Sequence, residues 1–336
     1  MSADAQGPRV AVVGATGAAG GTLLRVLHER AFPIRELRVL ASERSEGQRV
    51  SAGEAVLTVH ALTEHALDGA DIVFFAAGGA TSRRFAPLVA EGGGVAVDKS
   101  SAYRMDPSVP LVVPEVNGDT LSAHRGIVAN PNCVAIPLSI TLAPLQSAFG
   151  LRQVTLATYQ AASGAGRALV DELRRQERAD ATGDEPRATV YPHVLHGNVV
   201  PGGWTMDGDD TEEEVKVMAE TRRVLGTPEL RISITTVRVP VAVGHSAAVF
   251  VELERSVDAA AAREVLRSAP GVLVVDEPSA QLYPTPRAAA GTDDVVVGRV
   301  RRDAGRDNGL AFFFSADNLR KGAATNAVQV AELLLR

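Results

Sequence analysis

The sequence predicts an α/β protein with a doubly wound parallel sheet in its N-terminal part. Three observations support this prediction. Short apolar strands alternate with helical segments up to about residue 130, a glycine-rich turn follows the first strand, and the pattern changes after residue 133. Such alternation is typical of a parallel sheet with helices on both faces. We therefore expect an N-terminal sheet domain followed by a second domain of different architecture.

The N-terminal elements follow from apolar runs and the turns between them. Residues 10–13 form a valine-rich run, typical of a strand buried on both faces, and leucines at helical spacing come after it. The segment 81–92 predicts a helix with Ser82 as its cap. The other strands predicted in this region are residues 37–41, 71–77, 94–98 and 126–130.

Beyond residue 133 the predicted elements are more varied. Residues 134–149 predict a long apolar helix, and 211–225 predict a helix with Thr211 as cap and Glu214 as its capping-box partner. Residues 180–210 are polar and rich in loops. The remaining predictions are a strand at 153–160, a charged helix at 167–180, strands within 231–254, 294–303 and 309–317, and a C-terminal helix within 317–335.

Length and composition limit the classes of protein to consider. The chain has 336 residues, enough for two domains, because a single core rarely grows beyond roughly 250 residues. Apolar residues make up 46% and charged residues 22%, the balance of a globular enzyme. The formal charge of -6 provides no basic footprint for nucleic acid. No apolar run approaches the roughly 20 residues that span a bilayer. We therefore expect neither nucleic acid nor a membrane as a partner.

The sequence has one cysteine, Cys133. A single cysteine excludes an internal disulfide and a multi-cysteine metal site, and it agrees with a reducing compartment. Residues 1–10 lack the charged and apolar layout of a signal peptide. We therefore expect a cytoplasmic protein without a metal, in which Cys133 acts, if at all, as a free thiol.

The stretch "GATGAAG" places Gly14, Gly17 and Gly20 where the first strand passes into a helix. Glycines there let the backbone approach a pyrophosphate, whose charge the helix N-terminus favours. The strict dinucleotide pattern is absent, since Thr16 stands at the position of its second glycine. The pattern favours dinucleotide binding over the alternative, a tight strand-to-helix turn without a ligand.

The end of the second strand indicates which dinucleotide is bound. An NAD site usually has an acidic residue there for the ribose hydroxyls. Here the strand ends with Ala41 and Ser42, and Arg44 and Ser45 follow, groups that suit the 2′-phosphate of NADP. If Glu43 faces the ribose instead, the preference reverses. A solvated loop of mixed charge is the third possibility.

Cys133 is predicted at the first turn of a helix that follows a strand of the sheet. A helix N-terminus lowers the pKa of a thiol and makes the sulfur a nucleophile near neutral pH. Ligands of open α/β sheets bind at the carboxyl ends of the strands, where this residue falls. Most single cysteines are small buried apolar residues. The setting "NPNC", outside an apolar run, argues against that alternative.

A nucleophilic thiol needs an acid or base beside it. Of seven histidines, His245 is the best candidate because it lies in a Gly-His turn between two strands; a structural role is the alternative. Arg238 lies in a strand of valine and proline, where its charge requires a carboxylate from the protein or from a substrate. By default Glu213 and Lys216, three apart on one helix, form a surface pair.

Nine stretches, in order and spanning nearly the whole chain, resemble the aspartate-β-semialdehyde dehydrogenase family. "VPEVN", "NPNC" and "TYQAASGAG" are the most specific parts of the match. The stretches are "GATGAAG", "LASERS", "FFAAGGATS", "VDKSSAYRMDPSVPLVVPEVN", "NPNCVAIPL", "TYQAASGAG", "EEEVKVMAET", "RVPVAVGHS" and "DNLRKGAATNAVQ".

The resemblance implies the NADP-dependent interconversion of L-aspartyl-4-phosphate and L-aspartate 4-semialdehyde, a step toward lysine, threonine and methionine. In that family the matching cysteine forms an acyl-thioester, so the resemblance makes Cys133 the nucleophile. It assigns general acid/base catalysis to His245 and positioning of the substrate to Gln160. These roles agree with the chemistry, because a soft nucleophile that expels phosphate leaves a thioester able to accept hydride.

The resemblance also implies the binding residues. Arg238 corresponds to the clamp on the substrate α-carboxylate and Glu213 to a contact with its α-amino group. The residues that correspond to phosphate ligands are Lys216 and Arg104, with Asn132 as a further candidate. Positions that line NADP correspond to Gly14, Thr16, Gly17, Ala18, Ala19, Arg44, Ser45, Ser163, Gly164 and Asn318.

The family's organisation implies a Rossmann-type NADP-binding domain and an α+β catalytic and dimerisation domain. The first would comprise residues 1–130 with 318–336, and the second residues 131–317. A homodimer is expected, and some relatives are tetramers. The sequence departs from the family at Tyr103, where Phe is common, and at His196 and Gly197, which replace an apolar pair.

Two other functions compete with this reading. N-acetyl-glutamyl-phosphate reductase performs the same thioester chemistry on a longer substrate, but "NPNC", "TYQAASGAG" and the spacing of Glu213 and Lys216 favour the aspartyl substrate. A non-catalytic NADP-binding paralogue is expected to lose the thiol or its partner, whereas this chain keeps both Cys133 and His245.

Overall fold

The computed structural model describes residues 7–336. The chain forms two compact units: the first ends at Asn132 and resumes at Ala323, and the second is Cys133–Gly322. The sequence placed these boundaries after residue 130 and before residue 318. The predicted lack of a signal peptide concerns residues 1–10, of which residues 1–6 lie outside the described part.

The first unit is built on a six-stranded parallel sheet with the strand order β5-β2-β1-β6-β7-β8. The order reverses at β1, so the unit has a topological switch point beside the end of that strand. The strands β3 and β4 pair with each other as a separate hairpin. The strands are β1 Arg9–Val13, β2 Glu36–Ala41, β3 Arg49–Ala52, β4 Ala55–Thr58, β5 His60–Ala61, β6 Ile72–Phe75, β7 Val95–Asp98 and β8 Ile127–Ala129.

Helices cover both faces of this sheet. They are α1 Ala18–Glu29, α2 Gly79–Glu91 and the short α3 Pro114–Asn117. Because side chains alternate along a strand, Val10 and Val12 pack with α1 in one core cluster, and Ala11 and Val13 pack with α2 in the other. Residues 10–13 of β1 are therefore apolar and buried on both faces, as the valine-rich run predicted.

The predicted cap of α2 is wrong. The helix begins after Gly78, and Ser82 lies buried inside its first turns. The Ser82 hydroxyl donates a 2.7 Å hydrogen bond to Oδ1 of Asp98, a fully buried carboxylate at the end of β7. Since a buried carboxylate must be hydrogen-bonded, Ser82 is used to satisfy Asp98 and not the helix terminus.

The second unit contains a six-stranded mixed sheet with the order β12-β9-β13-β16-β15-β14. Its strands β9 and β12 run parallel, whereas β13 is antiparallel to both of its neighbours. The strands of this unit are β9 Leu151–Gln160, β10 Met206–Asp207, β11 Asp210–Thr211, β12 Arg231–Arg238, β13 His245–Leu253, β14 Val272–Val274, β15 Val295–Arg302 and β16 Gly309–Ala316.

One face of the mixed sheet is fully buried, and its residues include Val154, Leu156, Val249 and Val251. The opposite face is only partly covered, as the alternating burial of β9 and β13 shows. The helices of this unit are α4 Ala135–Phe149, α5 Arg167–Thr182, α6 Glu212–Leu225, α7 Ala259–Arg267 and α8 Pro286–Ala289.

The N-terminus of α6 confirms a detailed prediction. Oγ1 of Thr211 accepts a hydrogen bond from the Glu214 N–H at 3.3 Å, and Oε2 of Glu214 accepts one from the Thr211 N–H at 2.7 Å. Burial opposes ionisation of Glu214, but its backbone and side-chain hydrogen bonds outweigh burial and lower its pKa. The carboxylate thus stabilises the start of α6 while charged.

After β16 the chain returns to the first unit. A π-helical turn at Arg320–Ala324 leads into α9, Thr325–Leu334. Val328 and Ala331 of α9 join the core cluster of α1. The predicted C-terminal helix is confirmed, and its first turn has the wider π geometry that is often found near functional sites.

Candidate active site

The glycine-rich turn of the first unit forms a cradle for a phosphate group. Gly14 follows β1 with a φ of 85°, and a Cβ there would lie 2.8 Å from the carbonyl oxygen of Ala76. A Cβ on Gly20 would lie 2.2 Å from the carbonyl oxygen of Gly14. Gly17 caps α1 without a side-chain hydrogen bond, so the first N–H groups of the helix are available to an anion.

A cleft of about 630 Å³ lies at the carboxyl ends of β1, β2 and β6. This volume is in the range of small-molecule sites, and its position is the switch point of the sheet. Of the predicted cofactor residues, those that line it are Gly14, Thr16, Gly17 and Arg44. Ala18 and Ala19 are the first two residues of α1, and Ser45 ends the 3-10 turn Glu43–Ser45.

The two residues on which the choice between NAD and NADP depends both lie at this cleft. Glu43 and Arg44 line it together, and Arg84 of α2 adds a second guanidinium. Arg84 also lies 3.5 Å from the carboxylate of Glu64 on an exposed surface. Two cations against one carboxylate in the lining favour a phosphate over bare ribose hydroxyls.

Cys133 is the first residue of the second unit; it forms no disulfide and is half-buried. It lies in the turn that precedes α4 and not in the first turn of the helix as predicted, because the first helical bond runs from the Leu138 N–H to the Val134 carbonyl at 3.1 Å. Cys133 is two positions before the first helical residue, Ala135, so it lies at the positive end of the helix dipole.

His245 is the first residue of β13 and is 1% exposed. Its Nδ1 accepts a 3.0 Å hydrogen bond from the Ala161 N–H, so the proton of the neutral ring lies on Nε2. Nε2 is buried and has no hydrogen-bond partner within residues 7–336. Burial and the nearby charge of Arg238 lower the pKa of His245 well below its usual value. The ring is thus a neutral donor without an acceptor.

Arg238 is the last residue of β12 and is 2% exposed. Its Nη1 donates a 2.8 Å hydrogen bond to the carbonyl oxygen of Ala161. Its Nε is buried without a hydrogen-bond partner in the described chain. A buried unsatisfied donor is costly, and it is doubly so on a charged group. The Nε edge is therefore suited to an anionic ligand.

Gly164 marks the point where these two side chains meet. A Cβ on Gly164 would lie 3.0 Å from Nε2 of His245 and 3.0 Å from Nη1 of Arg238. No larger residue fits there without displacing one of them. Gly164, predicted as a cofactor residue, is thus also the residue that makes room for the imidazole and the guanidinium.

The structure brings Gln160 and Glu213, two of the predicted site residues, into contact. Nε2 of Gln160 donates a 3.3 Å hydrogen bond to Oε1 of Glu213. Gln160 also lies directly opposite Arg238 in the register of β9 and β12. Lys216 of the same helix as Glu213 instead pairs with Glu212, with 2.6 Å between Nζ and Oε2.

Two further predicted cofactor residues hold loops of the second unit. Oδ1 of Asn318 accepts a 2.9 Å hydrogen bond from the N–H of Gly244, the residue before His245. Nδ2 of Asn318 donates a 2.9 Å bond to Oγ of Ser163. All of these atoms are buried. The pair therefore links the turn before His245 to the turn that contains Gly164.

The predicted phosphate residues Arg104 and Asn132 belong to the first unit. Nε of Arg104 donates to the carbonyl oxygen of Asn130 at 3.0 Å, and its Nη2 donates to that of Lys99 at 2.7 Å. Asn132 is buried and is the last residue before Cys133. Backbone carbonyls thus help to orient the Arg104 guanidinium.

The sequence did not identify Ala161 or Trp204 as functional residues. Ala161 contacts His245 and Arg238 through its backbone N–H and carbonyl oxygen. Because nearly every residue has these groups, no side-chain pattern in the sequence indicates the contact. Trp204 lies with its ring 4.5 Å from the Arg238 guanidinium carbon. Its being the only tryptophan of the chain was the available signal.

Comparisons with known proteins identify the family of the chain. The model described as "Semialdehyde dehydrogenase, NAD binding domain" matches residues 9–124, and "Semialdehyde dehydrogenase, dimerisation domain" matches residues 142–321. The aspartate-semialdehyde dehydrogenase of Aquifex aeolicus is 47% identical over 98% of each chain, and that of Bacillus subtilis is 42% identical over 98% of each.

A solved structure shows the same fold over the same length. It is the crystal structure of aspartate semialdehyde dehydrogenase II from Vibrio cholerae complexed with ASA, which superposes with a TM-score of 0.95 at 40% identity, covering 98% of this chain and 99% of that one. The predicted fold class, a doubly wound sheet domain plus an α+β domain, is confirmed. The chain belongs to the aspartate-semialdehyde dehydrogenase family, NADP-dependent oxidoreductases that reduce aspartyl phosphate in amino-acid biosynthesis.

Proposed function

We propose that this enzyme reduces L-aspartyl-4-phosphate to L-aspartate 4-semialdehyde through a thioester on Cys133. One observation supports the proposal most directly: two buried donors that have no acceptor within residues 7–336, Nε2 of His245 and Nε of Arg238, belong to side chains that converge at Gly164. An imidazole N–H can donate to a carbonyl oxygen, and a guanidinium can bind a carboxylate. The substrate carries both of these acceptors.

The Cys133 thiolate attacks the acyl carbon of the substrate, and the resulting tetrahedral intermediate expels inorganic phosphate. The carbon–sulfur bond formed in this step replaces the carbon–oxygen bond to phosphate. NADPH, when bound, supplies the hydride that adds to the thioester carbon. The carbon–sulfur bond then breaks, which releases the aldehyde and regenerates the thiolate.

His245 acts on the substrate oxygen in both tetrahedral steps. Because the Ala161 N–H occupies Nδ1, the neutral ring has no free lone pair at Nε2 and presents an N–H group. The geometry therefore supports the acid half of the predicted acid/base role. Nε2–H donates to the developing oxyanion, which is where a preorganised donor accelerates acyl transfer.

The substrate contacts proposed for the remaining residues follow from their chemistry. The Nε edge of Arg238 binds the α-carboxylate, and Glu213, oriented by Gln160, accepts from the α-amino group. Lys216, Arg104 and Asn132 are proposed to bind the departing phosphate. For Lys216 this requires exchanging its partner Glu212 for the anion.

The cofactor residues suit NADP. Backbone N–H groups at Gly17, Ala18 and Ala19 are proposed to bind the pyrophosphate, with Gly14 and Thr16 forming the cradle. Arg44, with Ser45, is proposed to bind the 2′-phosphate. The residues proposed to line the nicotinamide end are Ser163, Gly164 and Asn318.

The active form is proposed to be a homodimer in the cytoplasm. The second unit carries the family's dimerisation domain, and its mixed sheet has one half-covered face with Ala248, Phe250 and the neighbouring rings of Tyr159 and Phe313. A second copy of this face is the proposed cover. No helix of residues 7–336 is long and apolar enough to cross a membrane, and the single free cysteine agrees with a reducing compartment.

The assay for the proposed reaction is phosphate-dependent reduction of NADP by L-aspartate 4-semialdehyde. We expect Cys133→Ser to lose at least about 10³-fold in kcat, because a hydroxyl at the same position is a much weaker nucleophile. Incubating the wild type with L-aspartyl-4-phosphate without NADPH should add one aspartyl group by mass. Turnover in Cys133→Ser at the wild-type rate, or faster turnover on N-acetyl-glutamyl phosphate, would refute the proposal.

The donor role of His245 is tested by a pair of substitutions. His245→Gln keeps a neutral N–H near the position of Nε2, whereas His245→Ala removes it. We expect the alanine variant to lose about 10²–10³-fold in kcat and the glutamine variant to lose much less. If proton shuttling between ring states is essential, glutamine will be as inactive as alanine.

The same ring makes stability depend on pH. Its folded pKa lies below the unfolded value near 6.5, so below pH 6.5 the unfolded chain takes up a proton that the folded chain does not. We expect the free energy of unfolding of the wild type to fall, relative to His245→Gln, by up to about 1.4 kcal/mol per pH unit below 6.5. Denaturant titrations of both proteins at pH 5.5 and 7.5 measure this difference. If the free energy of unfolding of the wild type relative to His245→Gln is the same at both pH values, the prediction is wrong.

The proposed dimer face is tested with Ala248→Arg, which places a charge in the middle of the open face of β13. Sedimentation equilibrium should show a dimer for the wild type and a monomer for this variant, because an unpaired charge at a packed interface is costly. Glu91→Arg, on the exposed end of α2 in the first unit, is the control and should remain a dimer. A dimeric Ala248→Arg protein would exclude this face.

A further inference from the structure

Two aromatic rings flank the guanidinium of Arg238. The ring centre of Trp204 lies 4.5 Å from its guanidinium carbon, and that of Tyr191 lies 5.8 Å away. Both rings belong to the segment 187–204, which contains no regular helix or strand. We call it the flanking segment. The proposed reaction gives it no role.

The flanking segment is docked on the backbone of Arg238 itself. The Val200 N–H donates to the Arg238 carbonyl at 2.9 Å, and the Arg238 N–H donates to the Val200 carbonyl at 2.8 Å. This isolated antiparallel bridge fixes the register of the segment against the end of β12. The two rings therefore come from a chain that is tied to the residue they flank.

Helix α5 holds the other end of the segment through a buried carboxylate. The two oxygens of Glu172, which is 1% exposed, accept from the N–H groups of Thr189 and Val190 at 2.7 Å each and from that of Tyr191 at 3.2 Å. The Thr189 hydroxyl donates to it as well. Burial alone would raise the pKa of Glu172, but these hydrogen bonds outweigh it and lower the pKa.

Gln176, one turn further along α5, completes the attachment. Its Oε1 accepts from the N–H groups of Leu195 and His196 at 3.0 Å each, and its Nε2 donates to the Arg187 carbonyl at 3.0 Å. A segment without secondary structure of its own is thus fixed by side chains of one helix face. Its geometry is specified and not incidental.

The rings contact a guanidinium that the Ala161 carbonyl anchors through Nη1. Because cation–π attraction is strongest when the cation lies over the ring, it favours an orientation of the guanidinium that keeps it against the Trp204 ring. Nε of Arg238 has no hydrogen-bond partner in the described chain, and the orientation of the guanidinium sets where its N–H points.

We propose that Trp204, supported by Tyr191, is a positioning residue that fixes the plane of the Arg238 guanidinium, so that its Nε edge meets the α-carboxylate of the substrate. The proposal rests on the carboxylate role proposed above for Arg238. Trp204 itself does not touch the reacting atoms. It acts on substrate affinity through Arg238.

The kinetic test compares Trp204→Leu, Trp204→Phe and Met206→Ala, the last being an exposed side chain two residues further on. We expect Trp204→Leu to raise KM for L-aspartate 4-semialdehyde about tenfold with kcat within about twofold, because binding and not chemistry loses its orientation. Trp204→Phe, which keeps an aromatic face, should recover most of the loss. Met206→Ala should match the wild type.

A spectroscopic test follows from the composition, because Trp204 is the only tryptophan. The probe is L-2-aminobutanoate, which carries the α-amino and α-carboxylate groups of the substrate but no aldehyde. Its binding should change the tryptophan fluorescence of the full-length enzyme in a saturable way. Propylamine, the same molecule without the carboxylate, should cause no change.

Arg238→Lys separates failure of this proposal from failure of the proposed function. If Arg238→Lys leaves KM unchanged, the carboxylate role of Arg238 is wrong and the positioning role falls with it. If Arg238→Lys raises KM while Trp204→Leu leaves it unchanged and the fluorescence is silent, only the positioning role is refuted. An equal loss of kcat in the leucine and phenylalanine variants would also refute it.

Discussion

The peptide group of Ala161 is the contact on which the proposed site depends. Its N–H donates to Nδ1 of His245, and its carbonyl oxygen accepts from Nη1 of Arg238. One residue therefore sets the tautomer of the imidazole and the anchor of the guanidinium at the same time. Both side chains are nearly completely buried, where each hydrogen bond is strong and each missing one is costly.

The strand pairing explains why Ala161 is in that position. Gln160 ends β9 opposite Arg238, the end of β12, and the next residue turns across both strand ends. Beyond it, the Ala162 N–H donates to the Val241 carbonyl at 2.8 Å, which ties the turn to the loop before His245. The register of β9 against β12 thus fixes the relative positions of Gln160, Ala161 and Arg238 in the site. A one-residue slip of β9 would point Gln160 to the opposite face of the sheet, and a slip of β12 would do the same to Arg238.

Unsatisfied buried nitrogens distinguish the site from the other buried polar groups of residues 7–336, whose side-chain atoms without partners are oxygens, such as those of Ser139 and Thr221. Glu172, Glu214 and Asp98 are buried carboxylates, and each accepts several hydrogen bonds from the protein. His245 and Arg238 each keep a buried nitrogen without a partner. Since proteins rarely leave such groups unpaired, these two mark where a ligand replaces the missing acceptors.

A similar contrast separates the charge of Arg238 from the charges of other arginines. Arg238, held against aromatic rings and the Ala161 carbonyl, keeps its charge for a ligand, whereas Arg9 and Arg30 pair with Asp71 and Glu332 in partly exposed ion pairs. Ion pairs that solvent reaches contribute little to stability. Burying the charge of Arg238 costs free energy. In the proposed site that charge binds the α-carboxylate of the substrate.

The sequence by itself determined the elements and the chemistry of the site. Val10–Val13 predicted a strand buried on both faces, "TEEE" predicted the capping box of α6, and the single cysteine beside a helix start predicted a free thiol at the entry to the second unit. These features are local, because propensity, capping and periodicity act within a few residues along the chain.

Only the tertiary structure decided which groups face each other. The sequence predicts Ser82 as a helix cap, yet its hydroxyl binds Asp98 at the end of β7. The tautomer of His245 depends on a backbone N–H 84 residues away in sequence, and side chains of α5 hold the first part of the segment that carries Trp204. Backbone groups are the same in every residue, so the sequence carries no sign of the peptide that will bind them. Folding alone brings such partners together.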